Sequence, residues 1–228
     1  MTGCVVVVGA GGAAGRAAAE AIVASGRTVA AVDLQAPEIP GCHGYAVDAT
    51  SRDAVRALAA QLRDEHGGVD GLVHLIGGWR GGKGFTANSD EDWEWLRTML
   101  VDTLRNTTLE MHDDLVASPS GRVVIVSATA AANPTPGGAN YATAKAAAET
   151  WLMAMADSFA RKQKDTGLRA AATALVVKAL LTPAMREEQP DNAFDGYTDV
   201  ADLAADLVRI LDADPEEINA QRVDLTAS

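Results

Sequence analysis

The stretch Cys4-Val5-Val6-Val7-Val8-Gly9-Ala10-Gly11-Gly12-Ala13-Ala14-Gly15-Arg16 decides the fold. Five apolar residues, four of them β-branched valines, run without polar alternation, the pattern of a strand buried on both faces. The run stops at Gly9, and past Gly15 an alanine-rich helical pattern continues to about Ser25. A strand, a glycine turn and a helix in that order let backbone amides approach a pyrophosphate at the helix N-terminus. Gly9, Gly11, Gly12, Ala13, Ala14 and Gly15 are therefore the candidate phosphate loop, although a glycine cluster alone also suits an ordinary tight turn. The decisive companion is Asp33, 18 residues after Gly15 and at the end of the second predicted strand. A carboxylate there accepts from the ribose hydroxyls of an adenosine and repels a 2′-phosphate. It favours NAD(H) as cofactor, with NADP(H) left open because Arg16 offers a compensating charge.

Outward from this unit, short apolar runs alternate with long alanine-rich segments. Strands are expected at 4–8, 28–33, 45–47, 71–75, 122–126, 169–176 and 222–225, and helices at 13–25, 51–65, 89–116, 141–164 and 199–211. Ser51, Ser89 and Thr198 stand where helix N-caps belong. Such alternation implies an α/β chain with a Rossmann-type doubly wound parallel sheet and helices on both faces. With no linker to divide it, residues 1–228 read as one dinucleotide-binding domain. Segments 77–88 and 178–197 fit neither pattern. Both follow strands and fall at the carboxyl edge of the sheet, where ligands bind in open α/β folds.

Composition narrows the function. A formal charge of −12 argues against a nucleic-acid surface, and no run approaches the ~18 apolar residues of a membrane helix. The N-terminus lacks a basic leader, and two cysteines, Cys4 and Cys42, are too few for a disulfide framework. A cytoplasmic protein acting on a small molecule is expected, without nucleic acid or membrane as partner. No His/Cys/Asp/Glu group has metal-ligand spacing, and no Ser-His-Asp arrangement is apparent. His74 reads as a satisfied core histidine, and Lys178 as a solvated loop residue.

The second constellation is Tyr141-Ala142-Thr143-Ala144-Lys145. A spacing of four puts both side chains on one helical face, where a cationic lysine lowers a phenol's pKa from about 10 and makes it a usable proton donor. Together with the glycine loop, these residues make the chain resemble the short-chain dehydrogenase/reductase family from about residue 4 to 226. The resemblance implies that Tyr141 and Lys145 are catalytic, with Lys145 also touching the nicotinamide ribose. It implies adenine contact by Asp48 in an Asp-x-Thr stretch, a cofactor role for Gly77, and nicotinamide contact by Thr182. It further implies a homodimer or homotetramer through the helices at 89–116 and 141–164, which carry Trp93, Trp95 and Trp151.

The chain departs from the family pattern at several points. The serine 13 residues before the tyrosine is Ala128, flanked by Ser127 and Thr129 as candidate replacements at the substrate. The usual Asn-Asn-Ala-Gly is His74-Leu75-Ile76-Gly77, the helix asparagine is Asp102 with Asn106 one turn on, and the usual Pro-Gly is Val177-Lys178. Gly77-Gly78-Trp79, Thr135-Pro136-Gly137 and Thr182-Pro183 resemble the dihydropteridine reductase branch. That branch uses NADH and implies hydride transfer to or from a C=O or C=N substrate; the missing serine shifts the expectation toward a conjugated or heterocyclic one, with Trp79 stacking on it. A general ketone reductase or alcohol dehydrogenase, or a silent NAD(H)-binding sensor, are the alternatives.

Overall fold

The computed structural model describes residues 3–226; residues 1–2 and 227–228, the ends of the expected 1–228 domain, lie outside the described residues. In chain order the elements are β1 (Cys4–Val8), α1 (Ala13–Ala24), β2 (Val29–Asp33), β3 (Cys42–Ala46), α2 (Arg52–His66), β4 (Val69–His74), α3 (Asp90–Arg97), α4 (Thr103–Ala117), β5 (Arg122–Ala128) and α5 (Ala139–Lys162). There follow β6 (Ala171–Val177), β7 (Leu180–Leu181), α6 (Pro183–Glu188), β8 (Thr198–Asp199), α7 (Val200–Asp212), α8 (Pro215–Ile218) and β9 (Arg222–Asp224).

Seven strands form one sheet in the order β3-β2-β1-β4-β5-β6-β9, every pair parallel. The order reverses at β1, so successive crossovers place helices on opposite faces. The valine run shows the consequence residue by residue. Val6 and Val8 join the core packed by α2, α4 and α5, while Val5 and Val7 join the core packed by α1 and α7. Both faces of β1 are dry, which is why its sequence does not alternate. Among the described residues no helix is long and apolar enough to cross a membrane.

Local differences from the sequence reading have physical causes. β3 begins at Cys42, earlier than expected: as an edge strand it leaves His43 and Gly44 exposed, so its first residues carry no apolar run. The helix expected at 89–116 is interrupted by a π-helical turn at Thr98–Asp102. The wider turn brings Leu96 and Leu100 together against Ala144 of α5. Ser51 and Ser89 cap their helices, accepting from Ala54 and Asp92. Thr198 does not cap α7. Its backbone pairs with β7, and the Asp199 carboxylate takes the cap by accepting from the Ala201 amide. α6 and α8 were not anticipated, yet each opens on a capping residue followed by proline, Thr182-Pro183 and Asp214-Pro215.

Candidate active site

The glycine turn after β1 tolerates no side chain at two positions. Gly9 has φ +87°, and a Cβ there would lie 2.9 Å from the backbone of Leu75 and Ile76. A Cβ on Gly15 would lie 2.1 Å from the Gly9 carbonyl, so α1 packs directly on the turn. No side chain caps α1 at Gly12, and the amides of its first turn, Ala13 and Ala14 among them, face the sheet edge unclaimed by a carboxylate. Asp33, at the end of β2, spends one lone pair of each oxygen on the loop. Its Oδ2 accepts from Gly11 N at 2.8 Å and its Oδ1 from Leu34 N at 2.7 Å. Asp48 accepts from both the amide and hydroxyl of Thr50, and Asn106 of α4 donates to the carbonyls of Ala49 and Thr50. Gly9, Gly12, Asp33, Asp48 and Thr50 thereby share a cleft of about 440 Å³. Arg16 is not among the residues lining it and donates to the Glu38 carbonyl at 3.1 Å.

A second cavity of about 430 Å³ continues the first along the sheet edge, the two sharing Leu75, Ile76 and Gly77 as a common wall. Tyr141 and Lys145, one turn apart on α5, line it together. Lys145 Nζ donates to the Val126 carbonyl at 2.7 Å and lies 5.9 Å from the Tyr141 ring centroid. Burial pushes the Tyr141 hydroxyl up to about 12 and the Lys145 ammonium down to about 8, with Glu149 partly restoring the latter. The lysine was expected to lower the phenol's pKa. In the structure the shift runs the other way: desolvation raises the phenol's pKa, which favours its protonated form.

Ala128 is buried where the family serine would stand. The Ser127 hydroxyl points to α5 and bonds Glu149, whose carboxylate also accepts from Arg222 Nε at 3.2 Å. Arg222 completes the group by donating to the Ala128 carbonyl. Ser127 thus contributes wall to the cavity while its hydroxyl is engaged elsewhere. Thr129 opens a short 3-10 turn, Thr129–Ala131, and its side chain lies outside the cavity wall. Thr182 also lies outside that wall, its hydroxyl accepting from Met185 N as the cap of α6. Gly77 sits at the junction of the two cavities.

Trp79 is 65% exposed on the cavity rim, in the loop that sequence patterning left irregular. Several contacts fix that loop. A Cβ on Gly78 would strike the Trp95 indole at 2.4 Å, and the Arg80 guanidinium stacks on the same ring at 4.3 Å. Trp95 packs against the small core of Leu96, Leu100 and Ala144 and also forms the floor of the active-edge loop. Gly82 N donates to Gly137 O, with no room for a side chain on Gly137. Asn88 donates to the Pro136 carbonyl and accepts from Asn140 N, and Asn140 donates to Ser89 O. The loop is clasped to the turn that starts the Tyr141 helix. Lys178 is less free than expected, donating to Asp195 O at 2.6 Å beneath Tyr197.

Two histidines differ from expectation. His74 is buried in the wall of the catalytic cavity, but its Nε2 has no hydrogen-bond partner among the described residues. His112 does form a Ser158–His112–Asp113 chain, at 3.0 and 2.9 Å. It lies between α4 and α5, where the backbone amides are consumed by the helices and offer no oxyanion donors.

Residues 3–190 match the model of the short chain dehydrogenase family. Over 153 residues, 62% of the chain, the sequence is 30% identical to 2,3-dihydro-2,3-dihydroxybenzoate dehydrogenase of Bacillus subtilis; the match spans 58% of that relative's length. An NADPH-bound short chain oxidoreductase of Pseudomonas aeruginosa, described as containing an atypical catalytic center, superposes with TM-score 0.83 and 17% identity over 97% of this chain and 94% of that one. An NAD+-bound xylitol dehydrogenase superposes with TM-score 0.78 and 16% identity, covering 98% and 97%. At these identities the structural likenesses show the fold.

Proposed function

The chain belongs to the short-chain dehydrogenase family of NAD(P)-dependent oxidoreductases, and on that premise we propose that it is an NAD(H)-preferring reductase of a conjugated C=O or C=N substrate, similar in activity to dihydropteridine reductase. One observation carries this reading. A Tyr–Lys pair occupies a cavity continuous with the glycine and Asp33 cleft, while β5 presents no free hydroxyl to it.

The residues present fit a dinucleotide. The turn at Gly9 and Gly15 leaves backbone where a Cβ would stand, and each Asp33 oxygen retains a lone pair for a ribose hydroxyl. Among the described residues no Lys or Arg lines the Asp33 cleft, and Arg16 is engaged at the Glu38 carbonyl, which supports NAD(H) over NADP(H). Bound there, the nicotinamide dinucleotide supplies a hydride. Tyr141, protonated at neutral pH, donates its hydroxyl proton to the substrate atom that gains negative charge. Lys145, still cationic below about pH 8, stabilises the phenolate so formed. A phenol held in its protonated form suits the reductive direction. Trp79 offers an indole face to a planar heterocycle at the rim.

The test is NADH oxidation with a quinonoid dihydropterin, beside a panel of quinones and simple ketones. Activity with the dihydropterin is expected to exceed that with the ketones; preference for ketones sinks the substrate assignment, and tight NADH binding with no turnover indicates a sensor. Tyr141→Phe is expected to lose roughly 10²–10⁴-fold in kcat while still binding NADH by fluorescence titration. Self-association through the outer face of α4 and α5 is part of the proposal. Leu109, Trp151 and Met155 line an apolar groove of about 190 Å³ there. Both cysteines are free, as suits a reduced, cytoplasmic setting.

A further inference from the structure

His74 is the last residue of β4, and strand alternation puts its side chain on the face of Leu72, toward α5. It is 4% exposed and lines the cavity of Tyr141 and Lys145. Its Nε2 has no partner among the described residues, and an unsatisfied buried polar atom calls for an explanation. A neutral imidazole carries one acceptor nitrogen, and the unpartnered Nε2 is the one placed to serve as it. Burial, reinforced by the Lys145 charge, pushes the ring down to about 3, which makes it a neutral acceptor at any working pH.

Across the cavity wall, Lys145 has the complementary surplus. Of its three N–H donors, one is used, on Val126 O. The charged and titratable groups around it are Tyr141 and Glu149 from α5 and His74 from β4, with Arg222 of β9 behind Glu149. Glu149 is already shared between Ser127 and Arg222. An acceptor without a donor therefore neighbours a buried cation with donors to spare.

We propose that His74 is a positioning residue for Lys145: through one buried water, its Nε2 accepts a hydrogen bond originating at the Lys145 ammonium and holds that group charged below Tyr141. A water is required because no direct hydrogen bond joins the two side chains, and a cavity with two such polar partners can retain one. The proposal rests on the catalytic reading only in the use made of the lysine's charge.

The test is a pH titration of the Lys145 Cε resonance by carbon-13 NMR in the cofactor-free protein, assigned by its loss in Lys145→Arg. His74→Leu conserves volume and removes the acceptor. Its Lys145 midpoint is expected to fall by about one pH unit, roughly tenfold in proton affinity, as for loss of a hydrogen bond to a charged group. His74→Gln returns an acceptor and is expected to restore the wild-type midpoint; His74→Met replaces the leucine variant if that does not fold. An unchanged midpoint in the apolar variant, or a glutamine variant that behaves like it, overturns the proposal. Because the titration needs no turnover, a wild-type protein inactive toward NADH would refute the proposed function and leave this measurement intact.

Discussion

At Gly15 one methyl group separates the glycine turn from a steric clash, and at Asp33 the proposed NAD(H) preference rests on one carboxylate. Asp33→Ala removes the charge that opposes a 2′-phosphate, so the NADH/NADPH affinity ratio is expected to fall by about tenfold or more. Fluorescence titration with each cofactor measures it, and an unchanged ratio counts against the assignment. Lys145 predicts opposite pH dependences for activity and stability. In the proposed mechanism its ammonium must be protonated to hold the phenolate, so kcat/KM should decline as pH rises through about 8, while Tyr141, near 12, stays protonated. The stability sign is reversed. Its native pKa lies below the ordinary 10.5, so between about 8 and 10.5 the unfolded chain binds more protons than the native one, and this group's contribution to stability rises with pH. Rate and Tm measured together from pH 7 to 10 should diverge; a parallel decline would mean that unfolding, not lysine deprotonation, sets the alkaline limb.

Among the elements, the loop between β4 and α3 and the turn before α5 behave as one unit. Asn88 and Asn140 tie them with hydrogen bonds spanning about fifty residues of sequence, and Gly82 and Gly137 meet backbone to backbone. Asn88→Ala is expected to cost about 1–3 kcal/mol and to raise substrate KM more than it lowers kcat, since Trp79 loses its support while Tyr141 stays on α5. Thermal denaturation and steady-state kinetics check the two parts. The irregular composition of 77–88 placed this loop at the ligand edge correctly. What it left hidden was the clasp, because a lone asparagine beside a serine reads equally well as a helix boundary.

For the whole molecule, the proposed assembly uses the outer face of α4 and α5. Trp151 lies half-buried there, its indole bonded to Thr108 and covered by Arg105, with Leu109 39% exposed beside it. Leu109→Arg is expected to shift the protein from a dimer or tetramer toward monomer in sizing with light scattering, without loss of NADH binding. A wild-type protein that is already monomeric would exclude the proposed association. The net charge of −12 acts at this scale as well. Under the proposed function a dianionic cofactor gains nothing from the overall field, so its capture would fall to the backbone amides of the glycine turn and the dipole of α1.

The run from Cys4 to Arg16, the alternation that follows it and the spacing of Tyr141 and Lys145 determined the parallel sheet, its ligand edge and the paired residues. Each is a local property: burial on two faces, a turn that only glycine permits, one helical turn between side chains. Tertiary structure decided what those residues can do. It committed the Ser127 hydroxyl to Glu149, set Trp95 beneath the Trp79 loop, left His74 Nε2 without a partner among the described residues in the cavity that Lys145 lines, and buried Tyr141 so that its hydroxyl pKa rises. Those outcomes depend on desolvation and on contacts between residues far apart in the chain, and no spacing within a single segment encodes either.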